Sequence, residues 1–364
     1  MRFGIYARGI TGVSGGVKVY IKELTNGIIK SLNKKDHLFI IHNSEINIFT
    51  KKDNVEEIKI NSKSKLVADL IKAPKIINKL SLDVVLFPKN VIPFGIKAKK
   101  ILTIHDLAYY LPQYNAYKFL DTIYMKFMIR NSARRANKII AVSNNTKKDI
   151  IRILKIDPNK IRVIYEGVGK QFKIIKNRQD LEKIKLKYSL NKPFIFYAGS
   201  ISPRKNIKRL VNAFNKLNNK NLELVITGNK LWNNKEEMDL INKNQNIKVL
   251  GLVPEEDLPK LYNLALFYVY PSLYEGFGLP VLEAQACGCP VIAANTSSLP
   301  EVAGEGAMLV DPYNEEEILA SIIKVANNKK LKNNLIKKGF KNVGTFNWDK
   351  TAKHTLEVIK NVQR

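Results

Sequence analysis

Short apolar runs rich in Val, Ile and Phe alternate with longer amphipathic ones along nearly the whole chain, and the alternation starts afresh midway. In the first half the short runs fall at Phe3–Ala7, Leu38–His42, Val84–Phe87, Ile101–Ile104, Lys138–Val142 and Arg162–Ile164. Helical patterns lie between them at Val17–Leu32, Lys65–Leu80, Tyr117–Ala136 and Thr146–Leu154. The second half has runs at Phe194–Ala198, Leu222–Thr227, Ile247–Leu250, Leu266–Val269 and Val291–Ala293, with helical patterns at Ile207–Lys216, Leu258–Leu264, Pro280–Ala286 and Glu315–Ala326. Strands that are apolar throughout are buried on both faces, and parallel neighbours need a crossover long enough to hold a helix. The alternation therefore predicts an α/β chain made of two Rossmann-like halves.

The length, 364 residues, suits two domains of about 180 better than one. We place the first domain at residues 1–170, completed by a helix at 346–364, and the second at 171–345. The seam lies within Gly167–Lys192, a polar and strongly basic stretch. A last helical pattern, Asp349–Val362, follows Phe346-Asn347-Trp348 and has no strand after it. A helix placed so is expected to pack across the seam. No tandem repeat or low-complexity segment interrupts this organisation.

Lys and Arg number 61 against 32 Asp and Glu, a net charge of +29. Residues 1–190 carry 38 against 15, net +23, and the remainder 23 against 17, net +6. Such a balance points to an anionic partner: nucleic acid, an acidic membrane surface or a phosphorylated substrate. Solvated lysine-rich helix faces are the plainer account. Within Lys63–Leu80, apolar residues interleave with Lys63, Lys65, Lys72, Lys75 and Lys79, a pattern that can lie on anionic lipid. Pro74 interrupts it, and its apolar residues also suit a core. Tyr117–Arg135 is similar, with Lys118, Lys126, Arg130, Arg134 and Arg135 among aromatic residues and Met. No helix-turn-helix, RNP or zinc-finger pattern accompanies the charge, which makes a nucleic-acid-binding protein the remote alternative.

Other classes drop out. The two cysteines, Cys287 and Cys289, sit in an apolar run and read as small core residues; they supply neither a disulfide framework nor a four-cysteine zinc site. No uncharged apolar stretch reaches the length of a membrane-spanning helix, and Met1–Ala7 reads as a strand rather than a signal peptide. A cytoplasmic protein is expected, with membrane contact at most peripheral on the inner face. His37, His42, His105 and His354 lack metal-ligand spacing, so no metal is expected. No Gly-x-Ser-x-Gly elbow occurs.

Four segments carry candidate chemistry. In Tyr274-Glu275-Gly276-Phe277-Gly278-Leu279-Pro280-Val281-Leu282-Glu283-Ala284, two glycines allow a tight loop and Pro280 suits a first helical turn. A loop opening a helix exposes backbone amides to an anion or a sugar. Glu275 would lie in the loop and Glu283 about one turn into the helix. In Tyr197-Ala198-Gly199-Ser200-Ile201-Ser202-Pro203-Arg204-Lys205-Asn206, a strand ends in a Gly-Ser turn, and Ser202-Pro203 reads as a helix N-cap with its first-turn proline. Arg204 and Lys205 would then stand at a helix N-terminus beyond the carboxyl end of a parallel strand, where two cations call for a diphosphate. Thr11-Gly12-Val13-Ser14-Gly15-Gly16-Val17 follows the first strand. It is neither a dinucleotide fingerprint nor a P-loop, yet Gly15-Gly16 would let a phosphate or sugar approach the backbone. In Thr103-Ile104-His105-Asp106-Leu107, His105 sits at a strand's carboxyl end, and Asp106 either orients the ring or caps the next segment.

Together these segments resemble the retaining glycosyltransferases of family four, a resemblance that covers nearly the whole chain and implies a GT-B fold with two Rossmann-like domains facing across a cleft. Glu275 and Glu283 match that family's paired glutamates with seven residues between, Arg204-Lys205 its phosphate-binding pair, Gly15-Gly16 its glycine loop and His105-Asp106 its central His-Asp. Pro203-Arg204-Lys205-Asn206 and Tyr165-Glu166-Gly167-Val168 are similar to the bacterial and archaeal mannosyl- and rhamnosyl-transferase branch. The resemblance implies a nucleotide-diphosphate sugar bound by the second domain and an acceptor bound by the first. Arg204 and Lys205 would neutralise the departing diphosphate. Glu283 would hold the ribose, and Glu275, Gly276 and the amides of Phe277, Gly278 and Leu279 the sugar and α-phosphate. Gly199 and Ser200 would line the donor site, Gly16 would close over the phosphates, and His105 would contact the donor sugar. No metal or other cofactor is implied. Ser202 and Lys89-Asn90 depart from the branch pattern at positions that lie outside the core chemistry.

The leading expectation is transfer of a hexose, best mannose from GDP-mannose, to a lipid-linked or polysaccharide acceptor. A UDP-sugar donor or a soluble acceptor, as in glycogen- or sucrose-type chemistry, is the alternative. A GT-B sugar epimerase fits the paired-glutamate loop less well.

Overall fold

Two parallel sheets organise the computed structural model, which describes the chain except residues 9, 11–14, 44–48, 63–66, 115–116, 230–234 and 364. The first unit comprises Met1–Tyr110, Leu120–Gly167 and Asn347–Arg364, the second Leu111–Phe119 and Val168–Phe346. The basic stretch after Gly167 therefore belongs to the second unit, and part of it is the helix Arg178–Lys187, of which only Ile184 is buried.

In the first unit, strands β1 (Arg2–Tyr6), β2 (His37–His42), β3 (Val55–Lys59), β4 (Val84–Phe87), β5 (Lys99–Ile104), β6 (Lys138–Ala141) and β7 (Ile161–Val163) form a sheet in the order β3-β2-β1-β4-β5-β6-β7. Every pairing is parallel. The strand order reverses between β1 and β4. β3, with sequence Val-Glu-Glu-Ile-Lys, is not foreseen from the pattern of apolar runs. It is an edge strand with no buried residue, so its sequence carries no apolar signal.

The expected continuous helix over Lys65–Leu80 is instead a π-helical turn, Ala68–Lys72, followed by the α-helix Ala73–Lys79. Pro74 has no N–H to close the ordinary ladder, and the turn before it widens so that Ala73 N–H reaches Ala68 O. Lys63 and Lys65 lie outside the described residues, as do Thr11, Gly12, Val13 and Ser14.

The helix Trp348–Gln363 belongs to the first unit and lies against the helix Gly16–Ser31. Gly27 makes the close approach possible: a Cβ there would sit 2.8 Å from Ala352 Cβ and 3.3 Å from Trp348 O. Trp348 meets Tyr20 edge-on at 5.8 Å, and the Thr351 hydroxyl donates to Tyr165 O at 2.7 Å.

In the second unit, β8 (Phe194–Ala198), β9 (Glu223–Thr227), β10 (Ile247–Gly251), β11 (Phe267–Tyr270), β12 (Val291–Ala294) and β13 (Ala307–Val310) order as β10-β9-β8-β11-β12-β13, again all parallel. Here the order reverses between β8 and β11. β13, another edge strand, also escapes the apolar pattern because three of its four residues are only partly covered or exposed. The core between β8 and β11 is aromatic, with Phe196, Tyr197, Phe267, Tyr268 and Tyr270 all fully buried. In both units ligands are expected beyond the carboxyl ends of the strands at the reversal, where two adjacent loops turn opposite ways and leave a crevice. Among the described residues no helix is long and apolar enough to cross a membrane.

Candidate active site

At the reversal in the second sheet, β8 leads through Gly199-Ser200 to Arg204 and Lys205, while β11 leads through Pro271-Ser272 to Glu275. Gly199 N–H donates to Thr227 O at 2.9 Å, and Ser200 O accepts from the Tyr197 hydroxyl at 3.2 Å. Gly228, at φ +138°, has its Cα against the Gly199 carbonyl, where any Cβ would collide.

Arg204 and Lys205 are not in the first turn of a helix. They occupy a separate 3-10 turn, Pro203–Lys205, and the α-helix begins only at Ile207. Ser202 caps this turn through its carbonyl, which accepts from Lys205 N–H at 2.9 Å, rather than through its hydroxyl. Asn206 makes the break: at φ +60° it leaves helical geometry, and its amide donates to Pro271 O and Pro312 O at 2.9 and 2.7 Å. An asparagine in the left-handed region is thus fixed by the two loops it bridges.

The break turns both cations toward Glu275. Lys205 Nζ donates to Glu275 Oε1 and, at 2.6 Å, to the Tyr270 hydroxyl; Arg204 lies 3.3 Å from Glu275 Oε2 and donates to Tyr274 O. The hydroxyls of Ser272 and Tyr270 reach Glu275 Oε1 at 2.6 and 2.9 Å. Burial pushes the Glu275 carboxyl up, but Lys205 first and Arg204 second outweigh it, with hydrogen bonds from Lys205 and Ser272, and hold it at about 2. The cluster of two cations and one carboxylate keeps a net charge of +1, buried at the end of two strands.

Glu275 N–H donates to the Ser297 hydroxyl at 3.0 Å, and the Ser298 hydroxyl lies 2.7 Å from Phe277 O and 3.0 Å from Glu275 O. The loop so held ends at Gly278, φ +112°, and the helix Leu279–Ala286 begins with Pro280 in its first turn. First-turn amides have no acceptor within their own helix, which leaves those of Gly278 and Leu279 to an acceptor from outside it. A Cβ on Gly278 would stand 2.7 Å from Leu299 Cδ2. With the left-handed backbone added, Gly278→Ala is expected to destabilise the protein by about 3 kcal/mol, read from the urea midpoint. An unchanged midpoint would show that the loop readily takes another shape.

Glu283 faces inward from that helix, its Oε2 accepting from the Tyr262 hydroxyl at 3.2 Å. Burial pushes its carboxyl up to about 7, against the Tyr262 hydrogen bond that lowers it. The paired glutamates therefore differ in charge behaviour: Glu275 is a fixed anion and Glu283 titrates near neutrality.

In the first unit His105 follows β5. Its Nε2 lies 2.9 Å from Pro88 O and its Nδ1 3.3 Å from Glu166 Oε1, while Tyr20 packs edge-on against the ring at 4.7 Å. Pro88 O can only accept, so Nε2 carries a proton, and the Nδ1 contact needs another on the ring or on Glu166. Asp106 does not orient the ring: its Oδ1 accepts from Ala108 N–H at 3.0 Å and caps the following turn. Asn90, one of the two departures set outside the core chemistry, in fact braces this corner. Its Oδ1 accepts from His105 N–H at 2.9 Å and its amide donates to Asp106 O at 3.3 Å. Gly15 is extended and open, with nothing within 4 Å of a Cβ, and Gly16 begins the first helix.

Of the basic residues, Lys72, Lys75, Lys79, Arg130 and Arg134 are exposed and Lys126 is half-buried. Cys287 and Cys289 are buried free thiols, and burial pushes Cys287 up to about 12, which leaves it unreactive. No metal-ligating cluster occurs among the described residues. Sequence reasoning missed Tyr270, Ser272, Ser297 and Ser298 around Glu275, and Tyr20, Asn90 and Glu166 around His105. Two of these had a visible signal, Asn90 in Lys89-Asn90 and Glu166 in Tyr165-Glu166-Gly167-Val168, and neither carried a role there.

Comparison with known proteins covers both units. Residues 178–342 match the model for glycosyl transferases group 1, and residues 14–171 match that for glycosyltransferase family 4. The O-antigen chain mannosyltransferase B of Escherichia coli is 30% identical over 271 residues, 72% of this chain and 70% of that protein. Among solved structures, sucrose-phosphate synthase from Thermosynechococcus elongatus superposes with a TM-score of 0.78 at 18% identity, over 99% of this chain and 98% of that one. HepE from Anabaena, solved with UDP-glucose, gives 0.77 at 17% identity over 99% and 100%. These neighbours share the GT-B fold.

Proposed function

The chain belongs to the family 4 glycosyltransferases, and from that premise we propose that it moves mannose from GDP-mannose, with retention, to a lipid-linked or polysaccharide acceptor in surface-glycan synthesis. One observation carries the site within this reading: Arg204 and Lys205 converge on Glu275 at the reversal between β8 and β11. A buried cluster of net charge +1, beside a loop of helix-opening amides, matches a diphosphate more closely than a neutral ligand.

In this reading the diphosphate takes over part of the contact that Arg204 and Lys205 make with Glu275, and the two cations stabilise the charge that grows on the leaving phosphate. Glu275, relieved of part of its pairing, accepts hydrogen bonds from the sugar hydroxyls. The amides of Phe277, Gly278 and Leu279 meet the phosphate, and Gly199 and Ser200 let it approach. The Glu283 carboxylate accepts from the ribose hydroxyls. For Gly15, Gly16 and His105, which belong to the first unit, the assignment rests on the family resemblance. The departing phosphate takes the acceptor's proton, so no separate base is needed.

Mannose is favoured by the likeness to the Escherichia coli mannosyltransferase. A UDP-sugar is the second reading, favoured by the fold shared with the UDP-glucose complex of HepE. Calorimetry with GDP-mannose, GDP, UDP-glucose, UDP-N-acetylglucosamine and UDP separates them. Tight binding of GDP-mannose and GDP, weakened at least about 100-fold in Arg204→Ala, is the expected result. Selective binding of a uridine nucleotide would replace the donor, and binding unaffected by Arg204→Ala would move the site elsewhere.

A further inference from the structure

The helix Phe119–Arg135 packs into the first unit through Met128, Ile129, Ser132 and Ala133. It carries a second apolar stripe on the other side. Leu120, Ile123, Tyr124 and Phe127, spaced i, i+3, i+4, i+7 along one face, are 78, 52, 42 and 58% exposed. The same stripe continues one turn on into Arg130 and Arg134, both exposed, and the only acidic residue of the helix is Asp121.

A second exposed patch stands on the π-helical turn Ala68–Lys72, where Leu70 and Ile71 are 47 and 62% exposed next to Lys72 and Lys75. Arg8 lies just beyond β1, at the reversal of the first sheet, and forms an ion pair with the buried Asp69 of that turn. The ion pair ties this second patch to the carboxyl end of β1.

Large apolar side chains grouped on a surface mark a partner, and the chemistry of the rim says which kind. Arg130, Arg134, Lys72 and Lys75 ring aliphatic and aromatic side chains, in a half of the chain with net charge +23 over residues 1–190. A second copy of the chain would meet the same positive rim and be repelled. A bilayer with anionic headgroups offers the complementary charge outside and hydrocarbon within.

We propose that Leu120, Ile123, Tyr124 and Phe127, together with Leu70 and Ile71, seat the first unit on an anionic lipid bilayer. The surface deepens the reading of a lipid-linked acceptor and rests on that reading for its purpose: it brings the reversal of the first sheet to the membrane, where the acceptor's headgroup lies.

The test is sedimentation of the full chain with phosphatidylcholine vesicles and with mixed phosphatidylglycerol–phosphatidylcholine vesicles, run beside donor calorimetry on the same samples. Binding to the anionic vesicles that weakens with salt is expected. It should fall at least about 100-fold in the double variant Ile123→Ser/Phe127→Ser, which withdraws two buried side chains from hydrocarbon. In Arg130→Gln/Arg134→Gln it should fall about 25-fold, about fivefold for each cation removed. Donor binding should be unchanged in Ile123→Ser/Phe127→Ser, and an unchanged circular dichroism spectrum and urea midpoint should show that its first unit is folded. If the wild type ignores anionic vesicles, or the variants bind them as well as it does, the surface is overturned while intact donor binding keeps the transferase reading. A dimer that Ile123→Ser/Phe127→Ser dissociates, without vesicle binding, would overturn it in favour of self-association. Vesicle binding that follows the variants, in a protein that binds no nucleotide sugar, would support the surface and count against the transferase reading.

Discussion

Replacing Lys205 with alanine is expected to lower turnover about 100- to 1,000-fold, the usual effect of removing one preorganised charge from a developing anion. It should also lower stability. Lys205 is the strongest partner of the buried Glu275 carboxylate, and breaking a buried pair from one side leaves a charge without compensation. Arg204, Tyr270 and Ser272 remain, which places the loss near the lower end of the range, about 3 kcal/mol. The loss should itself depend on pH. The Glu275 carboxyl is held at about 2, below its value in the unfolded chain, so its stabilisation is present above about pH 4.5 and fades as pH falls toward 2. Wild type and Lys205→Ala should thus converge in stability in acid. Steady-state kinetics and urea unfolding at several pH values read both effects, and a fully active Lys205→Ala would remove Lys205 from the chemistry.

Glu283→Gln is expected to separate stability from binding in the opposite direction. The carboxyl rises from an unfolded value near 4.5 to about 7. A raised value stabilises the folded state below about 4.5 relative to its ionised form, and that contribution is lost as pH climbs through about 7. Glutamine keeps the shape and remains neutral. At pH about 8 the variant should be more stable than wild type by about 3 kcal/mol, and near pH 4 the two should coincide. Donor binding should go the other way, because a ribose diol needs two acceptor oxygens. Wild-type affinity should rise with pH through about 7, and the variant should bind weakly throughout. Thermal unfolding and calorimetry across this pH range check the pair. A variant that binds the donor as wild type does would end the ribose assignment.

The architecture was legible because parallel sheets bury both faces of their inner strands, and β1, β4, β5, β8, β9, β11 and β12 are accordingly apolar runs. The edge strands β3 and β13 were not legible, since Glu56, Glu57 and Leu309 face solvent there. The helix Lys329–Val343 hid for the same reason: among its lysines and asparagines only Leu335 and Gly339 are buried. At the candidate site the charged residues stood out through their glycine and proline framing. Their partners did not. Tyr270 reads as one more aromatic of a core strand, and nothing local marks Asn206 as the residue that ends one turn and starts a helix. That role comes from Pro271 O and Pro312 O, carbonyls 65 and 106 positions away in sequence. Contacts of this kind exist only once the loops have met.

The helix Trp348–Gln363 gives the first unit an unusual relation to time. Residues 168–346 hold nearly all of the second unit and lie between the bulk of the first and the helix that finishes it. As the chain leaves the ribosome, the first sheet can form early, but the groove over Gly27 and the wall behind Tyr20 stay open until Trp348 and Ala352 arrive. Tyr20 in turn backs His105, so the histidine corner is assembled only after the second unit has been synthesised. A product cut short before Asn347 could therefore keep an intact cluster at Arg204, Lys205 and Glu275 and still lack a finished first half.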